Sequence, residues 1–498
     1  MLAEFGTLLS DLPPIGNMGA TVANNVIPFG NTYKSFPSLS VVSSNALDTP
    51  CLGAFATRDS AGNPLNFCGD TAKLYLLSSG SLTDVSKVGG YATGSTEKWN
   101  FVKFNQYVIG TNYTDAIQKY DVEIDTDFSD LAATAPKARY IAVVRDFVVL
   151  GNIDDSVDGQ VPNRVQWSAI GNPSGAWTPS ATTQADIQDL PGDGGWVMNV
   201  IGGEYGVIFR ERSIHKMSYI GSPLIFQFDE IEGASGTPAS RSCVKFGRGN
   251  NIFYLGRDGF YIFDGQQSNP IGVNQIDKTF YADVNQSYMG NIVAVADEIN
   301  SIIMMAYPSL ASSSGVCDKV IMYNYSPNAT KRWAFADMDS EFLFIFNSEG
   351  YTMDSLDGVN NNLDLITPSL DSRIWTGGAS YISAFNIDNE LTTLTGAALE
   401  ATIETGEIEI NPGRATRLRE VKPLIEGATS AGAVTVQIGV RDDGSDTVTW
   451  GGVLSNNNAG NFPCRTNANY HRMRVVIDGG FDFAQGIEML EQTPGGKR

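Results

Sequence analysis

The stretch 249–265, GNNIFYLGRDGFYIFDG, constrains the fold more than any other part of this chain. Residues 252–255 and 260–263 are two short runs of aromatic and β-branched residues, joined by Gly256-Arg257-Asp258-Gly259 and closed by Asp264-Gly265. Such runs around an Asp-Gly turn predict a β-hairpin. Neither run alternates apolar with polar, so the spacing predicts strands covered on both faces.

The unit recurs. Residues 104–110 lead to 116–120, 145–151 to 164–168, 204–209 to 213–217, and 300–306 to 319–325, with 342–346 and 73–77 as partial copies. The steps are irregular, roughly 40–60 residues, close to the period of propeller blades. A ring of four-stranded blades hides both faces of each sheet against its neighbours. The pattern therefore predicts an all-β chain built on a β-propeller of six or seven blades.

Its flanks read differently. Residues 1–35 predict an irregular N-terminal arm, because Leu12-Pro13-Pro14-Ile15-Gly16-Asn17 cannot hold a helix. Its apolar residues (Leu8, Leu9, Leu12, Ile15, Val22, Val26, Ile27, Phe29) predict docking onto a neighbour. The repetitive region spans 36–383, interrupted by polar insertions at 151–162, 168–192 and 353–368. Residues 384–398 read as a linker. From 399 to 498 the strands alternate; Val434, Val436, Ile438 and Val440 share one face, as in an antiparallel β-sandwich. Around 275–284 a short helix is expected between blades.

Charge limits the partners. Fifty-five acidic against 33 basic residues give a net charge of −22, which argues against tight nucleic-acid binding through neutralised phosphates. A surface past which nucleic acid slides fits, as does simple solubility. The cysteines Cys51, Cys68, Cys243, Cys317 and Cys464 form no CxxC pair and predict reduced thiols, although Cys51 and Cys68 could bridge a loop. No Lys or Arg precedes Lys34, so no secretory signal is expected. No run approaches the roughly 18 apolar residues of a membrane span.

Catalytic material is thin. His215 and His471 are the two histidines, and the nucleophile-elbow, phosphate-loop and zinc-helix motifs are missing. Asp154, Asp155 and Asp158, or Asp354, Asp357 and Asp364, could supply a glycosidase carboxylate pair or oxygen ligands for Ca²⁺, but neither loop has the 12-residue calcium-loop spacing and solvated turns explain them better. No catalytic residue, cofactor or metal is assigned. Arg414, Arg417, Arg419 and Lys422 form a basic cluster; on a strand Arg417 and Arg419 share a face and could pair with carboxylates of a second subunit. Trp99, Trp167, Trp177, Trp196, Trp333 and Trp375 are expected in blade cores.

The most specific text is C-terminal: Glu404-Thr405-Gly406-Glu407-Ile408-Glu409-Ile410-Asn411-Pro412-Gly413-Arg414, Arg417-Leu418-Arg419-Glu420-Val421-Lys422-Pro423, Asn469-Tyr470-His471-Arg472-Met473-Arg474-Val475 and Phe483-Ala484-Gln485-Gly486-Ile487. With Asn24-Asn25-Val26-Ile27-Pro28 and residues 33–39, it resembles the tail hub, or nozzle, proteins of short-tailed bacteriophages, also called phage stabilisation or head-completion proteins. That resemblance implies a β-propeller with associated β domains and a non-enzymatic homohexameric ring in the virion tail, assembled in the host cytoplasm. The ring would sit below the portal and its adaptor, hold a tail needle or plug, carry fibres or spikes, and pass viral DNA transiently without entering a membrane itself. It places Arg414, Arg417, Arg419, Tyr470, His471 and Arg472 at candidate interfaces. A carbohydrate-binding or glycan-cleaving propeller in receptor recognition is the alternative.

Overall fold

Seven four-stranded antiparallel units, six of them separate sheets and one the start of a ten-stranded sheet, follow one another along the chain in the computed structural model, which describes residues 1–78, 80–348, 380–428, 433–457 and 459–494. The expected hairpins are the middle of these sheets. Asn251–Leu255 and Phe260–Phe263 are the second and third strands of the fifth blade, between Val244–Phe246 and Ser268–Pro270. Tyr107–Thr111 with Gln118–Asp121, Gly206–Arg210 with Ile214–Gly221, and Ile302–Tyr307 with Cys317–Asn324 hold the same places in the second, fourth and sixth blades. Middle strands have a strand on each side and a blade against each face, which is why they carry unbroken apolar runs.

The first strand of each sheet lies at the axis. Gly53–Arg58 packs against Asn100–Phe104 and Phe342–Asn347, Lys137–Val144 against Asn100–Phe104 and Val197–Ile201, and Val293–Asp297 against Val244–Phe246 and Phe342–Asn347. The turn Ser240–Ser242 touches both Val197–Ile201 and Val293–Asp297. The described residues thus form a closed seven-bladed propeller.

Ring closure joins distant parts of the chain. The seventh blade takes Phe342–Asn347, Ser380–Phe385 and Glu390–Thr393 from one end of the repetitive region and Ser40–Ala46 from the other. Thr392 pairs with Val41 and Thr393 with Ser40. This corrects the linker reading of 384–398, much of which is blade. The insertion at 151–162 is also corrected: Phe147–Asp155 and Gly159–Trp167 are nine-residue strands that run through it, with a register shift between Gly151 and Ile153. The insertion at 353–368 lies outside the described residues.

Fourth strands explain how the propeller meets the rest of the chain. Ser129–Asp130, Asp186–Asp189 and Ser268–Pro270 are polar and largely exposed, as outer edges should be. Trp333–Ser340 in the sixth blade breaks this pattern, since Trp333, Ala334, Ala336, Met338 and Ser340 are buried. It is not an edge. Ala20–Asn24 of the N-terminal arm lies parallel beside it and pairs on its other side with Ala401–Thr405. The sheet continues through Tyr470–Ile477 to Val434–Arg441.

The arm is therefore not irregular. Leu2–Glu4, Ala20–Asn24, Val26–Phe29 and Thr32–Ser35 are strands. Of the residues expected to dock, Leu8 and Val26 are buried, together with Phe5, Ala20 and Tyr33, whereas Leu12, Ile15 and Phe29 stay exposed. A second sheet runs Val26–Phe29, Thr32–Ser35, Phe483–Pro494, Thr416–Glu426, Phe462–Ala468. Leu418, Val421, Ile487 and Met489 from it and Val436, Ile438, Met473 and Val475 from the first sheet belong to one buried cluster. This is the expected C-terminal sandwich, completed by the arm. The connecting helix, Asp277–Asp283, brings Phe280 within 4.9 Å of Phe260 and of Tyr307, and Phe260 lies 5.2 Å from Trp333. Such aromatic pairs add about 0.5–1.5 kcal/mol each beyond the area they bury.

Candidate functional site

At one end of the propeller axis, side chains from opposite blades meet. Trp99 immediately precedes the inner strand of the second blade and is buried; its indole N–H donates to Asp70 O at 2.9 Å. Gly53 packs so closely that a Cβ there would stand 2.4 Å from Trp99 O, which calls for glycine. Arg241, in the turn before the fifth blade, reaches across and donates from Nη2 to that Trp99 carbonyl at 3.1 Å. Its Cζ lies 5.7 Å from the centre of the Phe342 ring, at the start of the seventh blade. From the fourth blade, Asn199 Nδ2 donates to Ser240 O at 2.6 Å and steadies the turn that carries Arg241.

Charges concentrate here. Lys98, beside Trp99, has its ammonium pushed below the ordinary lysine value by burial and then by the positive charge of Arg241. Burial likewise brings Arg241 down to about 10. Glu341 is raised by burial, although the Cys51 N–H donating to Oε2 at 2.8 Å holds its charged form. Beside them Arg139 grips Glu97 with two donors, Nε to Oε2 at 3.0 Å and Nη2 to Oε1 at 2.8 Å. The arrangement can hold negative charge. It offers no nucleophile–base pair, because the Cys51 thiol is buried and pushed upward by desolvation. Sequence reasoning missed Lys98, Arg241 and Glu341; each stands just before an inner strand, a signal visible only once the blades are aligned.

A second charged constellation lies in the sandwich. Glu404 and Glu407 are buried. Arg472 Nη2 meets Glu404 Oε2 at 2.6 Å, Arg474 holds Glu404 Oε1, and Arg441 Nε donates to Glu407 Oε2 at 2.6 Å. Arg474 also lies over the Trp450 ring, 4.2 Å from its centre. Desolvation offsets much of the attraction in such pairs, and removing one partner would leave a buried charge uncompensated.

The expected interface residues separate. His471 is fully buried, because alternation along Tyr470–Ile477 sends it inward with Met473 and Val475, and Arg472 is taken by Glu404 of its own chain. The burial of His471 corrects that expectation, whereas Arg472 is half-buried and already ion-paired within its own chain. Arg417 and Arg419 are exposed on the other sheet, Arg414 is exposed in the bend before it, and Tyr470 is half-buried. Arg417 and Arg419 both point outward as expected, flanking buried Leu418, and an irregular register around Glu420 returns Val421 to the core.

The acidic leads resolve into structural turns. Asp155 Oδ1 accepts the N–H groups of Val157 and Asp158, and Asp158 pairs with Arg164 at 2.6 Å. Asp354, Asp357 and Asp364 lie outside the described residues, as does Trp375. Among the described residues no group of three or more His, Cys, Asp or Glu side chains is placed to hold a metal ion. All five cysteines are free and buried, Cys51 and Cys68 included. Trp99, Trp167, Trp177 and Trp333 are core, whereas Trp196 is 51% exposed, in the loop before the fourth blade. Among the described residues no helix is long and apolar enough to cross a membrane.

No family model matches the chain, and no curated protein matches it. Solved structures similar to it include the extracellular domain of a protein described as a one-component system from B. thetaiotaomicron, at 12% identity and TM-score 0.40 over 86% of this chain. This chain spans about half, 48%, of that structure's length. The Pan2 WD40 domain of Neurospora crassa is similar at 6% identity and TM-score 0.35, over 64% of this chain and 90% of its own. BamB from Moraxella catarrhalis is similar at 10% identity and TM-score 0.31, over 62% and 93%.

Proposed function

We propose that this chain is a structural virion protein: the subunit of a tail hub or nozzle ring that sits below the portal and adaptor, seals the packaged genome and forms the path of DNA ejection. The observation that carries the reading is the continuous sheet from the sixth blade through Ala20–Asn24 and Ala401–Thr405 into the C-terminal sandwich. Backbone ladders across that junction make propeller and sandwich one stiff body, which suits a wall that bears internal pressure. The text resembling hub proteins falls on both sides of the junction, in residues 24–28, 404–414 and 469–475.

Ring assembly presents a basic face in an acidic subunit. Arg417 and Arg419 on a sandwich sheet and Arg414 in the bend before it are exposed, and the chain as a whole carries −22, so an adjacent copy offers ample carboxylates. In this reading the duplex runs along the axis of the assembled ring. The axis of each propeller is crossed by Arg241 and is not the conduit. A lumen lined by acidic side chains lets DNA slide, whereas a basic one would hold it at each phosphate.

Immunogold electron microscopy of particles released from producing cells, with antibody against this chain, tests the proposal. Label confined to the tail end of short-tailed particles is the expected result. Unlabelled particles with the chain soluble in the lysate would overturn it, and binding on a glycan array would then favour receptor recognition.

A further inference from the structure

Where the N-terminal arm joins the sixth blade, Ala20–Asn24 and Trp333–Ser340 pair at one position, Asn24 with Phe335. A groove of about 480 Å³ lies along this junction, lined by both strands, by the helix Asp277–Asp283 and by Leu8 and Ser10 of the arm. That volume falls in the range of roughly 300–1,000 Å³ in which small molecules are held. Leu8, Val22 and Phe335 give it an apolar side, and the Phe335 side chain is half-buried rather than covered.

Strand register sets the polar side. Tyr307 stands opposite Lys319 and Lys319 opposite Asp337 on three successive strands, so these side chains leave the same face of the blade. Lys319 Nζ and the Tyr307 hydroxyl both meet Asp283 Oδ2, each at 3.0 Å. Asp337 Oδ2 accepts from Asn24 Nδ2 at 2.9 Å and from Asn25 Nδ2 at 3.1 Å. Among the described residues the other oxygen of each carboxylate accepts no hydrogen bond, and Asp337 has no ion pair. The Lys319 ammonium spends one of its three donors on Asp283.

Charge selects what fits. An anion in the groove would face Asp283 and Asp337, and a cation would face Lys319. A neutral molecule with neighbouring hydroxyls meets neither penalty, because a hydroxyl both donates to a free carboxylate oxygen and accepts from an ammonium. Its C–H edges suit the face of the Phe335 ring. We propose that this groove is a binding site for a neutral sugar, with Asp283, Asp337 and Lys319 holding its hydroxyls and Phe335 one face of its ring. The proposal stands whether or not the chain assembles into a ring.

Saturation-transfer difference NMR of the full chain tests it, with glucose, galactose, mannose and N-acetylglucosamine titrated separately and n-butylamine and sodium acetate as charged probes. At least one sugar should give a saturable signal, strongest for the C–H protons of one ring face. Val22→Phe, which fills the groove from its apolar side, should raise the half-saturating concentration at least tenfold, and Asp337→Asn should raise it several-fold. No saturable signal from any of the four sugars, saturation by a charged probe at lower concentration, or an unchanged titration in Val22→Phe overturns the site. If Val22→Phe does not fold, the Asp337→Asn titration decides alone: weaker binding supports the site, and equal or tighter binding overturns it. Since the titration uses the isolated chain, its result is independent of where the antibody label falls on particles.

Discussion

Asn25 and Asp337 exchange hydrogen bonds: the Asp337 N–H donates to Asn25 Oδ1 at 2.8 Å, and Asn25 Nδ2 donates to Asp337 Oδ2 at 3.1 Å. The same Nδ2 donates to Glu400 O at 2.9 Å, and the Asn25 N–H donates to Phe335 O at 2.8 Å. One residue therefore joins the arm, the sixth blade and the entry to the C-terminal sandwich. Its backbone is left-handed, with φ of +56°, a conformation asparagine tolerates better than most residues.

Asn25→Ala should therefore destabilise the protein by about 1–3 kcal/mol, combining the left-handed penalty with the loss of three part-buried side-chain hydrogen bonds. Asn25→Gly should recover about 1 kcal/mol of that, because glycine accepts the backbone while still losing the amide. Urea unfolding of the three proteins measures both steps. Equal stability of the alanine and glycine variants would show that backbone conformation contributes nothing at this corner.

How far the sequence revealed this architecture follows from where each strand's partner lies. The hairpin of Asn251–Leu255 and Phe260–Phe263 was legible because turn chemistry and apolar pattern are local. The closing strand Ser40–Ala46, SVVSSNA, was not, since it is a polar outer edge and its partner Glu390–Thr393 lies some 350 residues away along the chain, itself polar enough to read as linker. The arm's apolar residues signalled docking, but Gly and Asn between its strands hid their strand character. Trp333–Ser340 held an unused clue: a fourth strand as apolar as WAFADM implies a further neighbour. In the axial cluster, Arg241 between two serines and Lys98 before Trp99 have no local signature. Their proximity comes from closing the ring.

Asp277 gives a test of buried charge. Burial pushes its carboxyl up to about 6, and the charges of Asp11 and Asp258 add to this, while the Phe260 N–H donating to Oδ1 opposes it. A carboxyl raised in the folded state favours the protonated form, so its contribution is fully present below the unfolded value near 4 and is lost as pH rises through 6. Asp277→Asn, which keeps the Oδ1 acceptor, should raise stability by about 1–3 kcal/mol at pH 7.5, with the gain shrinking towards pH 4. Urea midpoints for both proteins across that range measure it. A variant less stable at pH 7.5 would mean that the charge is compensated locally.

His471 works in the opposite direction. Burial among the sandwich strands lowers it to about 4, and both ring nitrogens lack partners, with Asp442 only partly opposing the shift. The fold holds the neutral ring, so stability is full above about 6.5 and falls as pH drops towards 4, where the unfolded chain takes up the proton first. The loss amounts to about 3 kcal/mol. His471→Leu should match or exceed the native protein at pH 7 and lose less stability between pH 6.5 and 4. Comparing the two proteins isolates this group from Asp277, whose contribution grows over the same fall in pH. Parallel stability curves would remove His471 as the source.

Arg417 and Arg419 test assembly directly. Both are exposed on Thr416–Glu426, where Arg417 lies between Asn467 and Thr493 of the two flanking strands, and neither side chain enters the core formed by Leu418 and Val421. Surface changes of this kind typically move stability by no more than about 0.5 kcal/mol. The doubly reversed protein, Arg417→Glu with Arg419→Glu, should therefore remain folded, which its urea midpoint checks. If these guanidinium groups meet carboxylates of the adjacent copy, reversal sets like charges against each other and assembly into tails should fail. Tail-attached chain, quantified on purified particles from cells complemented with either version, separates the outcomes. Native incorporation of the reversed protein would remove this face from the ring contact and direct attention to the blade edges.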